Sequence, residues 1–342
     1  MTERPGFASD NHAGVHPDVL AAVVDANAGH AASYGGDPWT VGALQRFRQH
    51  FGPVAEAFPV FNGTAANVLC LEALTQPWEG VVCARTAHLN VDECGAPERA
   101  GRKLLVVDTP DGRVTPEMVA PLLQRIGDEH VIQPRVISIT QSTELGTVYA
   151  PDAIAALADW AHAHDMLLHL DGARLANAAA ALGCSLGALT TDVGVDAVSF
   201  GGTKNGAMGA EAVVLLREGL AAGFLYRRKQ AMQLGSKLRY LSAQLDALLS
   251  NDLWRRNAEH SNAMARRLAD GVRDIDGVRI TQPVEANVVF AIIDASVTER
   301  LQRDWPFYVW DENTGEVRWM ASWDTTPEDV DAFAADVRAA VR

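Results

Sequence analysis

Cysteine is scarce. There are four in 342 residues, Cys70, Cys83, Cys94 and Cys184, and none sits in a C-x-x-C pair. That argues against both a disulfide framework and a structural zinc motif, and reduced thiols in a cytoplasmic enzyme are expected. Positive charge is also short, with Lys and Arg numbering 29 against 43 Asp and Glu, for a net charge of −14. A chain so acidic is a poor partner for nucleic acid or an anionic membrane, since either wants a basic face. No apolar run approaches the roughly 20 residues that cross a bilayer. The opening stretch "MTERPGFASDNHAG" has no apolar core of a signal peptide. Neither glycine fingerprint of nucleotide binding, G-x-G-x-x-G or G-x-x-x-x-G-K-[ST], occurs, which counts against a dinucleotide-dependent dehydrogenase. Internal repeats and low-complexity segments are missing too.

What is present is an alternation of short apolar strands and longer helices. The segments "FPVFNG", "GVVCA", "KLLVVD", "RVISITQ", "MLLHLD", "DAVSF" and "EAVVLL" read as strands. Between them, "TAANVLCLEAL", "PEMVAPLLQRI", "PDAIAALADWAHAH" and "ARLANAAAAL" read as helices. Strands that are apolar throughout and alternate with helices predict a mostly parallel, seven-stranded sheet covered on both faces. A helical stretch is expected from about 219 to 269. After it, "GVRI", "NVVFAII", "FYVW" and "EVRWM" predict a small antiparallel sheet. The closing helix should start at Thr326 as N-cap with Pro327 at its first position. The chain therefore divides into a large α/β domain over 1–250 and a small C-terminal α+β domain over 251–342.

Ligands of open α/β sheets collect beyond the carboxyl ends of the strands. Four such ends carry polar groups. Gly63-Thr64 opens a helix after a strand, which is either an ordinary helix start or a phosphate cradle. His88 follows "VVCA" and is either a satisfied core histidine or a catalytic one. Asp171 closes "LHLD" and is either a helix cap or a carboxylate held for a cationic ring nitrogen. Lys204 stands alone in "VSFGGTKNGAMGAEAVV", among small uncharged residues that desolvate it and favour the free amine. Gly201, Gly202, Thr203 and Gly206 are expected to let a cofactor approach the backbone there. The order phosphate site, histidine, strand-end Asp, lysine is what pyridoxal 5′-phosphate (PLP) needs. The lysine forms a Schiff base, the acid keeps the pyridine nitrogen protonated, and the cradle holds the phosphate.

These segments resemble the low-specificity L-threonine aldolases, which belong to the β-eliminating lyase group of fold-type I PLP enzymes. The resemblance runs from "FASDNHAGVHPDVLAAV" and "SYGGDPWTVGAL" through "GTAAN", "AHLNVDECGAPE", "TELGTVY", "LHLDGARLANA" and "SFGGTKNGAMGAEAVV" to "VRWMASWDTT". It implies the fold-type I architecture and cleavage of threonine or allo-threonine to glycine and acetaldehyde. The alternatives are a phenylserine-type aldolase or another PLP β-eliminating lyase, and product analysis separates them. By resemblance, Lys204 carries the Schiff base, Asp171 meets the ring nitrogen, and His88 stacks on the ring near the substrate hydroxyl. Gly63, Thr64 and Thr203 line the cofactor site, while Lys237 and Arg239 reach the phosphate of a neighbouring subunit. Ser9, Arg174 and Arg318 hold the substrate carboxylate, and Tyr34 borders the site from the partner subunit. A homodimer is the minimum assembly and a homotetramer is expected. No metal is expected, and His12, His16, His162 and His164 are read as solvated surface residues. One departure stands out. Many relatives carry a His-Asn pair before the "G-x-V" turn, and this chain has Glu144 near that place. The catalytic base is then left between His88 and a bound water.

Overall fold

The computed structural model describes residues 5–342. Its large sheet has seven strands: β1 (Glu56–Val60), β2 (Glu79–Ala84), β3 (Lys103–Val107), β4 (Gln133–Thr140), β5 (Leu167–Gly172), β6 (Ala197–Gly201) and β7 (Glu211–Leu215). They lie in the order β1-β7-β6-β5-β4-β2-β3. The pairs from β3 across to β6 are parallel, and β7 runs antiparallel to both neighbours. The sheet interior is Val, Leu, Ile and Ala with almost no solvent contact. Strands buried on both faces need this near-continuous apolar character. Helices Gly63–Leu74, Pro151–Ala163 and Leu175–Leu182 follow β1, β4 and β5.

The second sheet is antiparallel, with β8 (Arg279–Ile280), β9 (Val288–Ile292), β10 (Tyr308–Asp311) and β11 (Glu316–Met320) in the order β10-β11-β9-β8. Its core centres on Trp305, Phe307, Trp319 and Phe333, with rings meeting edge-on or tilted as aromatic quadrupoles favour. Phe7, from the other end of the chain, stacks on Phe333 at 4.7 Å. Helix Leu253–Val272 serves both cores: Leu253, Trp254 and Ala258 belong to the first and Met264 to Val272 to the second. The last helix, Pro327–Val341, starts as expected, with Thr326 and Asp329 forming a reciprocal capping box.

Three local expectations need correction. "PEMVAPLLQRI" is not one helix but an α-turn, Pro116–Val119, followed by a 3₁₀ segment, Ala120–Arg125; Pro121 lacks the N–H that would continue the α-helical ladder. The 219–269 stretch breaks into Phe224–Gln230, Arg239–Leu248 and Leu253–Val272. Left-handed residues Met232, Asn251 and Asp252 stand in the breaks. Finally, His16 and His162 are not free surface side chains. His16 caps a helix by accepting from the Asp18 N–H and packs on Trp323, and His162 pairs with buried Asp196 at 2.8 Å.

Candidate active site

Beyond the carboxyl ends of β4, β5 and β6 lie two adjoining cavities of about 280 and 150 Å³. They share six lining residues: Asn11, His88, Ser142, Glu144, Arg174 and Lys204. Lys204 therefore stands at the junction. It reaches that place from a one-turn 3₁₀ segment, Thr203–Asn205, just after β6. Burial lowers its pKa, helped by the Arg174 charge and opposed by Asp10, Asp171 and Glu211. Its ammonium forms no ion pair among the described residues. Burial without a salt bridge favours the free amine over the ammonium, and the free amine is the state a nucleophile requires.

The glycines around Lys204 answer to the chain's own packing, and this corrects the expectation that they open space for a cofactor. A Cβ on Gly201 would lie 2.6 Å from the Ala173 carbonyl oxygen, and one on Gly202 2.5 Å from that of Ala210. The Gly206 position faces Asn257 and His16. The glycines that do face open space are Gly63 and Gly209, which line the larger cavity and have nothing within 4 Å of a Cβ position.

The larger cavity ends at the N-terminus of the Gly63–Leu74 helix. Asn62 caps it, its side chain accepting from the Ala65 N–H and its carbonyl from that of Ala66. The Gly63 and Thr64 N–H groups have no intrahelical acceptor, so a twelve-residue helix offers free donors and its positive dipole end to an anion. Asp171 lies deeper in the same cavity. It does not cap the next helix, whose N-cap is Arg174. Instead its Oδ1 accepts from the Ala173 N–H at 3.0 Å and its Oδ2 from Asn67 Nδ2 at 2.8 Å. Asn67 also donates to Glu93, and Glu93 accepts from or shares a proton with His88 Nδ1 at 2.8 Å. This chain of bonds fixes the imidazole. The Glu93 bond raises the His88 pKa against the opposing effect of burial. On the other wall, Glu211 accepts from the Gly202 and Thr203 N–H groups and so holds the turn that carries Lys204.

The smaller cavity is lined by Ser9, Asp92, Trp310, Arg318 and Met320 besides the shared residues. Arg174 presents its Nε–Nη2 edge to Asp10, at 2.7 and 2.9 Å. Burial pushes the Asp10 carboxyl up, but the charge and hydrogen bonds of Arg174, with Lys204 and Asn287, outweigh it and hold Asp10 below its ordinary value. Arg318 lies between the rings of Tyr308 and Trp310, at 5.4 and 5.0 Å, and donates to the Ala8 carbonyl oxygen. Its Nε is buried and without a partner among the described residues. Ser9 Oγ accepts from the Asn11 N–H.

Not every expected residue is gathered here. Lys204, His88, Asp171, Gly63, Thr64, Thr203, Ser9, Arg174 and Arg318 line one or both cavities. Tyr34, Lys237 and Arg239 line neither. Tyr34 is exposed, with Lys229 over its ring, and Arg239 lies against Trp39 and Tyr240. Conversely Asp10, Asn67, Glu93 and Glu211 escaped sequence reasoning. Glu93 stands in the quoted "HLNVDECG" five residues from His88, a spacing that could have marked it; Asp10 follows Ser9, Asn67 ends "GTAAN" and Glu211 stands in "GAMGAEAVV", but which groups they bind is set by the fold.

The geometry agrees with what the comparisons with known proteins find. The sequence pattern of the beta-eliminating lyase family matches residues 6–296. A low specificity L-threonine aldolase of Pseudomonas aeruginosa is 46% identical over 335 residues, which is 97% of this chain and 96% of that protein. One from Pseudomonas sp. (strain NCIMB 10558) is 45% identical, covering 97% of each chain. Among solved structures, a threonine aldolase of Leishmania major superposes with a TM-score of 0.94 at 27% identity, over 99% of this chain and 100% of that one. Covered over nearly its whole length by such relatives, and carrying a buried lysine at a strand end opposite a carboxylate and a helix N-terminus, this chain belongs to the beta-eliminating lyase family.

Proposed function

We propose that the protein is a PLP-dependent aldehyde-lyase that cleaves L-threonine and L-allo-threonine to glycine and acetaldehyde, and runs the reverse addition. The observation that carries this reading is the pair of cavities meeting at Lys204, one suited to a phosphate-bearing cationic ring and the other to an amino-acid carboxylate. The residues present fit the cofactor. Gly63 and Thr64 would receive the phosphate, with open space at Gly63 and Gly209; Asp171 would meet the pyridine nitrogen; His88, clamped by Glu93, would cover a ring face; Lys204 would be the covalent anchor. Bound there, PLP supplies an electron sink for the pair released when the Cα–Cβ bond breaks.

The protein's own part is to bind and orient. Arg318 has an unpartnered Nε, and Arg174 has one nitrogen outside its Asp10 pair, so the two can hold a carboxylate with Ser9 beside them. Fixing the carboxylate fixes which Cα bond stands perpendicular to the ring, a gain from alignment more than from acid strength. Asp10 in turn fixes Arg174, and Glu211 fixes the Lys204 turn.

The phosphate end is poor in cations: among the described residues, Lys204 and Arg174 are the only lysine and arginine lining the larger cavity. Lys237 and Arg239, remote from this chain's own site, would complete a partner's site, with Tyr34 at its border. A homodimer with shared sites, and a homotetramer built from two, follows. The cell compartment proposed is the cytoplasm, in keeping with four cysteines that form no disulfide. Acetaldehyde and glycine formed in equal amounts from L-threonine test the activity; a purified protein that leaves threonine intact but cleaves phenylserine, or releases ammonia, refutes it. Shared sites are tested by mixing Lys204→Ala and Arg239→Met, each inactive alone. Random re-pairing should restore about a quarter of the wild-type sites, and no recovery would place each site within one chain.

A further inference from the structure

Glu144 lies between β4 and the Thr147–Tyr149 segment and lines both cavities. Its Oε1 is fully engaged, accepting from the His88 N–H at 2.7 Å and from Thr140 Oγ1 at 2.8 Å. Its Oε2 is buried and has no hydrogen-bond partner among the described residues. A buried, unpartnered carboxylate oxygen is costly, and it calls for an explanation such as a ligand or a proton that occupies it. No Lys or Arg forms an ion pair with Glu144 among the described residues. Resting on the aldolase reading above, we infer that Glu144 is the base that takes the β-hydroxyl proton of the substrate on Oε2, and the acid that returns it to the aldehyde oxygen in the reverse direction.

The step balances. The substrate O–H bond breaks and a Glu144 Oε2–H bond forms; the C–O bond becomes C=O; the Cα–Cβ pair leaves toward the electron sink. A proton is later added at Cα, so the products, glycine and acetaldehyde, together contain the atoms of threonine, and no oxidant or reductant is needed. Burial raises the Glu144 pKa, partly countered by the His88 N–H bond and reinforced by the Asp171 charge. A carboxylate whose pKa is raised is a stronger base, when ionised, than an exposed one. The other charged groups around the two cavities it lines are His88, Asp92 and Glu93 from the segment after β2, Asp171 and Arg174 from the end of β5, Lys204, Glu211 from the start of β7, and Arg318 from β11. His88 is the poorer base for this role. Its Nδ1 is bound to Glu93 and its pKa is raised by that bond, which favours the protonated ring. Ser142 Oγ is also buried and unpartnered beside both cavities, but a neutral alcohol does not take up a second proton at neutral pH; it can only orient the hydroxyl.

The test compares two reactions of the holoenzyme. Cleavage of threonine needs a base for the β-hydroxyl; exchange of a glycine Cα proton with deuterated water does not. Glu144→Gln, of nearly the same shape, should lose threonine cleavage by about 10²–10⁴-fold while glycine exchange, followed by NMR, stays within a few-fold of wild type. Threonine cleavage at near wild-type rate in Glu144→Gln would overturn the inference, and so would equal loss of both reactions in a variant that still binds PLP. Should Glu144→Gln not fold, the wild-type pH profiles decide. An acid limb, with the rate rising as Glu144 ionises, should mark cleavage and be missing from exchange; identical limbs would overturn the inference. A wild type that performs neither reaction would instead defeat the aldolase reading.

Discussion

The two cavities that meet at Lys204 differ in charge. The larger is lined by four carboxylates, Glu93, Glu144, Asp171 and Glu211, against Lys204 and Arg174. The smaller has two, Asp92 and Glu144, against Lys204, Arg174 and Arg318. The first thus favours a cation at its depth and leaves an anion to the helix end at Gly63. The second favours an anion outright. One buried amine stands where the two fields meet, and its lowered pKa has contributions from both sides. Such a division explains how a single chain can hold a cofactor and an amino acid of opposite local demands within one site, with each orientation set before chemistry begins.

The sharpest way to break the contrast is to neutralise the deeper end. Asp171→Asn keeps the shape but removes the charge and retains only one of the two accepting oxygens, so the Ala173 contact can persist while the Asn67 one is lost; kcat should fall about 10²–10³-fold, with PLP still bound by its absorbance. A fall in KM-dependent terms alone would mean that Asp171 serves the substrate instead. Next in size, Arg318→Lys removes the planar fork from the anionic-ligand end. Loss of one charged hydrogen bond at about 1.5–3 kcal/mol translates into a KM for threonine raised by roughly 10–100-fold, with kcat less affected. An unchanged KM would put the carboxylate elsewhere. The smallest effect concerns stability. Because the folded-state pKa of Asp10 is depressed, its contribution is complete above the ordinary aspartate range and is lost as the pH falls through the lowered folded value. Urea unfolding at a series of acidic pH values should therefore show wild type losing stability faster than Asp10→Asn, and parallel curves would contradict the assigned pairing with Arg174.

Much of the frame is legible from residues alone because strands buried on both faces announce themselves as apolar runs: "GVVCA" and "RVISITQ" lie in the parallel part of the sheet, and "EAVVLL" reads the same way although it runs antiparallel to both neighbours. The strand-end rule then located Lys204, Asp171, His88 and Gly63. Its limit shows in Asn67, which touches Asp171 from 104 residues away, and in Asp10, which grips Arg174 across 164. Both residues stand in the quoted "GTAAN" and "FASDNHAG", but local pattern does not say which distant side chain each one meets. The glycines before Lys204 show a different limit. Their presence was plain, but whether they face a ligand or the chain's own carbonyls depends on tertiary packing, and at Gly201 and Gly202 the carbonyls decide. Pro121 was visible in "PEMVAPLLQRI" and its effect on the helix was underweighted. Tyr34, Lys237 and Arg239 rest on family resemblance, and they line neither cavity.

The central claim is that Lys204 joins a cofactor cavity to a substrate cavity. An absorption spectrum of the purified protein, reconstituted with PLP and then given L-threonine, tests it most directly. The account predicts a visible band of lysine-bound PLP in wild type that changes on adding threonine as acetaldehyde appears, and neither the band nor the product in Lys204→Ala. A protein that stays colourless after reconstitution, or a Lys204→Ala variant that keeps both band and activity, would contradict it.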